Sequence, residues 1–244
     1  LTVRTAIEDY LAFLEANRKS ARDARYKAEA FILPTLGDKD VVSLTTKELR
    51  HWLNGLVKAP RRLRTVKGKK QKHAEVDDSV DGKRRRQSTA NRILTILKAA
   101  LNQQFKDGNV TSDVEWRRVA PFRGADEARA RYLSIDECRR LMNAAAPDFR
   151  PLVTAALTTG ARYGELCQLE VRDFNPDSET LHVRTSKSGK GRHIELTTEG
   201  VRFLAGHCQG KPSDSLMFKN ASGEAWGIAH QVRPMRDACI TAKI

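Results

Sequence analysis

Two short stretches combine residue types that can act on a phosphate. The first is Thr159-Gly160-Ala161-Arg162-Tyr163-Gly164-Glu165-Leu166, where a glycine break delivers an arginine to the start of a new helix. Arg162 and Glu165, three apart, can pair on one helical face, which fixes the guanidinium and leaves donors for an anion. Taken alone, the pair reads either as a phosphate clamp or as a helix-terminal salt bridge. The second stretch is Thr185-Ser186-Lys187-Ser188-Gly189-Lys190-Gly191-Arg192, which sets a lysine at a strand end beside a turn. An ammonium there can reach a phosphodiester or its leaving oxygen, although basic hairpin tips are also common solvated features.

Such residues need rigid supports, and the hydropathy pattern supplies them. Phe149 to Thr159 is apolar nearly all round, which predicts a buried helix running into the glycine break. Leu181 and Val183 alternate with His182 and Arg184, and Ile194 and Leu196 with His193 and Glu195, so the second stretch tips a β-hairpin. A helix opening at Ser134-Ile135-Asp136-Glu137, one from Thr198 to about Cys208, and a last one near Trp226 to Ala242, begun or kinked at Pro234, complete a domain over 133–244.

Upstream, Ile7, Tyr10, Leu11 and Leu14 share a helical face, and Leu49, Trp52, Leu53 and Leu56 repeat the pattern after Thr45-Thr46-Lys47-Glu48. Ile93, Leu97, Leu101 and Phe105 form a longer stripe between Ser88 and Gly108. With a helix from about Ser20 to Ile32, stopped by Pro34, these predict a four-helix domain over 1–108. Residues 109–132 lapse into Gly, Pro and mixed charge, with only Trp116 and Phe122 as large apolar residues, and are expected to be an interdomain linker. The fold class is mainly α with a small β-hairpin, in two domains.

Charge names the class of partner. Lys and Arg number 44 against 30 Asp and Glu, a formal +14, which favours a polyanion. Residues 58–88 alone carry 12 basic and 4 acidic side chains with almost nothing apolar between them. That segment reads as a mobile basic loop whose Arg61, Arg62, Lys69, Lys70, Arg84, Arg85 and Arg86 contact DNA phosphates, joined by Lys190 and Arg192 from the hairpin; a solvated insertion is the alternative. A hydrophobic share of 40% excludes wholesale disorder. No apolar run approaches the roughly 20 residues of a membrane-spanning helix, and Arg4, Glu8 and Asp9 interrupt any leader. Cys138, Cys167, Cys208 and Cys239 lack metal or disulfide spacing, as do His51, His73, His182, His193 and His207 for a metal, so a reducing, cytoplasmic chain is expected. Trp52, Trp116 and Trp226 are too dispersed for a base-stacking platform.

In this order, and about 25 residues apart, the two stretches resemble the phage-integrase family of tyrosine recombinases. The resemblance covers nearly the whole chain. It implies an N-terminal core-binding domain and, over 133–244, the first two thirds of a catalytic domain, truncated before its end. It makes Arg162 the first catalytic arginine, Glu165 its acidic support and Lys187 the hairpin general acid, with Lys190 the nearby competitor. The implied reaction is attack of a tyrosine on a DNA phosphodiester to give a 3′-phosphotyrosyl link, which uses neither ATP nor a metal, so no cofactor is expected. The implied partner is double-stranded DNA at attachment sites, bound by a tetrameric parent protein in the cytoplasm, at the bacterial nucleoid, during integration of a phage or genomic island.

The family's second catalytic half is missing from the pattern. His230-Gln231-Val232-Arg233 has H-x-x-R spacing, but Pro234 follows directly. Tyr10, Tyr26, Tyr132 and Tyr163 all precede the hairpin, and Tyr163 is expected to pack. With Leu1 in place of a methionine, the reading is a C-terminally truncated fragment, monomeric and able to bind DNA without cleaving it. A non-catalytic architectural DNA-binding protein and a type IB topoisomerase are the competing readings.

Overall fold

The computed structural model describes residues 1–18, 20–66, 68–126, 131–185 and 190–244, and its chain divides into two units, Leu1–Arg129 and Ala130–Ile244. In the first unit Thr2 caps α1 (Val3–Asn17) and Thr45 caps α4 (Thr46–Lys58), each side-chain oxygen accepting from the backbone N–H three residues on. Between them α2 (Ala21–Lys27) passes through a π-helical turn, Ala28–Ile32, into α3 (Leu33–Leu36). Pro34 therefore does not stop the helix as expected. In the wider turn Leu33 N donates five residues back to Ala28 O, and Ala30 O, the carbonyl that an N–H at position 34 would have met, accepts from Arg62 instead, so Pro34 sits in the opening turn of α3 at little cost. Ile7, Leu11, Ile32, Leu49, Ile93, Leu97 and Leu101 fill the core of this unit.

Two other expectations fail here for one reason, which is that helix and core formation reach further than the apolar stripes suggest. The helix α5 (Val80–Lys106) begins inside the expected basic loop, so Arg84, Arg85 and Arg86 are helical. Ser79 nucleates it by accepting from Gly82 N at 2.9 Å, and Lys, Arg and Gln are good helix formers that need no apolar face to propagate. The chain before it is also tied: Arg62 and His73 form an antiparallel bridge, with Leu63 N donating to Lys72 O at 2.9 Å and Ala74 N to Arg61 O at 2.8 Å.

The expected linker is shorter than 109–132. Val110, Trp116 and Val119 are buried in the first unit's core, and Trp116 lies on a short turn of helix, α6 (Val114–Arg117). Trp116 Nε1 donates to Asn102 Oδ1 at 2.8 Å. The buried amide of Asn91 donates to Phe122 O and accepts from Phe122 N, at 2.9 and 2.8 Å. Those few anchors are enough to hold residues 109–122 on the first unit.

In the second unit Ser134 and Glu137 cap α7 (Ile135–Ala144) reciprocally, at 2.8 and 3.2 Å. The apolar run becomes α8 (Arg150–Thr159), followed by one helical turn, α9 (Tyr163–Leu166). The hairpin is present and gains a third strand: β1 (Phe174–Asn175), β2 (Thr180–Val183) and β3 (Arg192–Glu195) form an antiparallel sheet in that order. Register pairs Leu181 with Ile194 and Val183 with Arg192, burying Leu181 and Val183. The helices α10 (Thr198–Cys208) and α11 (Val232–Ala242) complete the unit, and Pro234 lies in the first turn of α11. Phe149, Leu152, Leu166, Leu181, Leu204 and Phe218 form the core, with Trp226 against Phe149 at 5.3 Å between ring centroids. No described helix is long and apolar enough to cross a membrane.

Trp116→Ala should lower the stability of the first unit by about 3–5 kcal/mol, read by urea unfolding followed at Trp52. A variant as stable as the parent would return residues 109–122 to the status of a linker.

Candidate phosphate-binding site

The path of the chain after α8 is set by glycine. Gly160 ends that helix at φ +64°, a left-handed conformation that disfavours any side chain, and its N–H closes the last turn onto Ala156 O at 3.0 Å. Arg162 then turns extended and becomes the residue before α9. Glu165, one turn on, folds back: its Oε2 accepts from Arg162 N at 2.9 Å and its Oε1 from Arg162 Nη1 at 2.9 Å. The predicted pair forms, and it is lopsided. The glutamate side chain is 5% exposed and the arginine side chain 63%.

A second arginine completes the carboxylate. Arg192, the first residue of β3, donates Nη1 to Glu165 Oε1 and Nη2 to Oε2, both at 2.8 Å. One buried negative charge thus serves two guanidinium groups, and the positive charge left over belongs to the exposed one, Arg162. The neighbouring strand is tied in the same way. Arg184, just past β2, donates to Gln168 O at 2.8 Å and lies 3.1 Å from both Glu170 Oε1 and Asp173 Oδ2. The two strand ends that flank the hairpin tip are therefore each bound by an arginine to the segment that follows Arg162. A cavity of about 220 Å³ lies between Glu165, Gln168, Asp173, Arg184 and Thr185.

Residues 131–237 match the phage integrase family. This region is a phage integrase domain. The Tyrosine recombinase XerA of Saccharolobus solfataricus (strain P2) is 23% identical over 181 residues, which span 74% of this chain and 55% of that protein, so the match covers about half the relative's length. Among solved structures, lambda integrase bound to DNA superposes with a TM-score of 0.72 at 20% identity, covering 100% of this chain and 79% of that one. A lambda integrase tetramer bound to a Holliday junction gives 0.72 at 21% over 100% and 67%, and the Tn1549 transposon integrase with transposon right-end DNA gives 0.63 at 15% over 93% and 73%. At these identities the likeness establishes the fold.

Within the integrase domain the structure sorts the expected residues. Arg162 and Glu165 come together; Lys187, with Ser186, Ser188 and Gly189, lies outside the described residues. Lys190 is exposed. Arg192, expected on DNA phosphates, has both terminal nitrogens on Glu165 instead. Tyr163 packs as expected, its hydroxyl donating to Gly227 O at 2.8 Å, and burial first of all pushes its phenol pKa up. His230 Nδ1 accepts from Gly227 N at 3.0 Å, and Arg233 faces Asp237 on its own helix at 3.7 Å. In the first unit, Arg61, Lys69 and Lys70 are exposed. Arg62 turns inward, donating to Ala30 O at 3.1 Å with its guanidinium 5.7 Å from the Phe31 ring centre, and Arg86 donates to Leu56 O. Arg85 pairs with Asp77 at 2.8 Å and Arg84 lies 3.8 Å from Asp81.

The sequence reading missed the roles of Arg184 and Arg192. The signal was a set of acids, Glu165, Glu170 and Asp173, too many for their own helical turns to neutralise, followed by arginines at both strand ends.

The carboxylate carries a pH signature. Arg192's hydrogen bonds, and after them those of Arg162, outweigh burial and hold Glu165 at a pKa of about 2, against an ordinary 4.5. Because the folded value is the lower one, the stabilisation is complete above the unfolded value and is lost as pH falls from about 4.5 to about 2. Two to three units correspond to about 3 kcal/mol. Glu165→Gln should cost about 3–5 kcal/mol in the second unit at neutral pH, by urea unfolding, and should flatten the acid limb of stability in that window. An unchanged acid limb would show that Glu165 does not carry it.

Proposed function

We propose that this chain belongs to a site-specific DNA recombinase that integrates a phage or genomic island by cutting and rejoining duplex DNA through a 3′-phosphotyrosyl link. In the reaction a tyrosine oxygen bonds to the scissile phosphorus while the bond to the 5′ oxygen breaks. That step spreads negative charge over the equatorial oxygens and leaves a 5′ alkoxide to be protonated. Arg162 is the group that meets the equatorial charge, since its guanidinium is held from behind and open in front. Lys187 supplies the proton to the 5′ oxygen as general acid. The bond energy stays in the covalent link until a second 5′ hydroxyl attacks it.

The observation that carries this reading is the exposed Arg162 fixed on a buried, doubly paired carboxylate inside a phage integrase domain. The fold shared with DNA-bound lambda integrase supports duplex DNA as the partner, and the lambda integrase tetramer on a Holliday junction supports assembly of the full recombinase as a tetramer. Exposed Arg61, Lys69, Lys70 and Lys190 add phosphate contacts that fall off with salt.

Tyr163 is turned to Gly227, and Tyr10, Tyr26 and Tyr132 precede Arg162, so these 244 residues bind DNA without forming the covalent link. Incubated with a nicked suicide duplex, the chain should yield no protein–DNA adduct; an adduct resistant to denaturant would overturn that statement. Arg162→Ala should weaken duplex binding several-fold and shrink the slope of log affinity against log salt by about one. Unchanged affinity and slope would remove Arg162 from the phosphate.

A further inference from the structure

The side chain of Arg162 is 63% exposed and, among the described residues, makes one side-chain hydrogen bond, from Nη1 to Glu165 Oε1. An arginine held at one point sweeps many rotamers, so its aim depends on how firmly Oε1 is placed. Glu165 receives four hydrogen bonds among the described residues. One comes from the Arg162 backbone N–H and fixes Oε2, one comes from the very guanidinium that is being aimed, and two come from Arg192, 27 residues further on, whose Nη1 meets the same Oε1 as Arg162 Nη1. Arg192 is thus the one partner of the carboxylate from beyond its own turn among the described residues. It stands on a firm base: it opens β3 opposite the buried Val183, and next to it a Cβ on Gly191 would meet Arg184 O at 3.0 Å, so the two strand ends cross closely. Arg184 secures the other strand end to Glu170 and Asp173.

We propose that Arg192 is a positioning residue: its fork on Glu165 sets the direction of Arg162 and joins the root of the hairpin to the arginine turn, so that the two parts of the phosphate site move as one piece. This rests on the reading of Arg162 as a phosphate clamp. It removes Arg192 from the cations that touch DNA, because both of its terminal nitrogens face the carboxylate.

The test compares Arg192→Gln, Arg192→Lys and Arg162→Ala, with the double variants, in the full chain. Two readouts are needed: affinity for a short DNA duplex, and the titration of the Glu165 carboxyl carbon by NMR. Acting through Arg162, Arg192→Gln should weaken binding several-fold in the parent and add nothing in the Arg162→Ala background. Arg192→Lys should lose nearly as much, since an ammonium cannot fork both oxygens although it can hold a phosphate. The Glu165 pKa should rise by at least one unit in Arg192→Gln. Additive losses with Arg162→Ala, full affinity in Arg192→Lys, or an unmoved Glu165 titration would each overturn the proposal. Should Arg192→Gln fail to fold, Arg192→Lys in both backgrounds decides between the same outcomes. A parent chain that ignores duplex DNA defeats the functional reading alone, and the Glu165 titration still tests the fork.

Discussion

A single buried carboxylate organises the second unit's chemistry. Removing Glu165 from water costs several kcal/mol, and that cost is offset only because a backbone N–H and two guanidinium groups supply four donors at 2.8–2.9 Å. The arrangement is intolerant of loss: a missing guanidinium leaves a buried charge short of partners. It is also directional, since planar forks fix angles as well as distances. What emerges at the surface is one positive charge with a defined aim, on a turn that Gly160 makes possible by adopting a left-handed backbone.

The same logic extends outward through the sheet. Arginines at strand ends are usually solvated. Arg184 and Arg192 instead reach back to Glu170, Asp173 and Glu165, tying a small three-stranded sheet to the helical turn beside it. Three strands this short have little apolar surface of their own to hold them. The ion pairs and the burial of Leu181 and Val183 together do so.

Much of this was legible in the sequence, and the parts that were not have physical reasons. Local signals were reliable: the caps at Thr45 and Ser134, the glycine break after Thr159, the alternation around Leu181 and Ile194, and the spacing of Arg162 and Glu165 all appear as read. The failures came from local backbone geometry that hydropathy does not display, and from packing against distant residues. Pro34 was absorbed by a π-turn, the basic run at Arg84 was carried into α5 by the cap at Ser79, and Trp116 drew the expected linker into the first core. Charge counting pointed to a polyanion but could not tell an arginine facing solvent from one turned inward. Arg62, Arg86 and Arg192 bind a carbonyl or a carboxylate of their own chain, information held by the fold and not by the run of basic letters.

The claim at the centre is that one guanidinium of the pair faces the phosphate and the other faces the protein. The most direct measurement is a titration of the chain with a short DNA duplex, followed through the side-chain Nε–H signals of its arginines. Arg162 should shift on binding while Arg184 and Arg192 stay where they are. Large shifts at Arg192 with Arg162 unmoved would contradict the account.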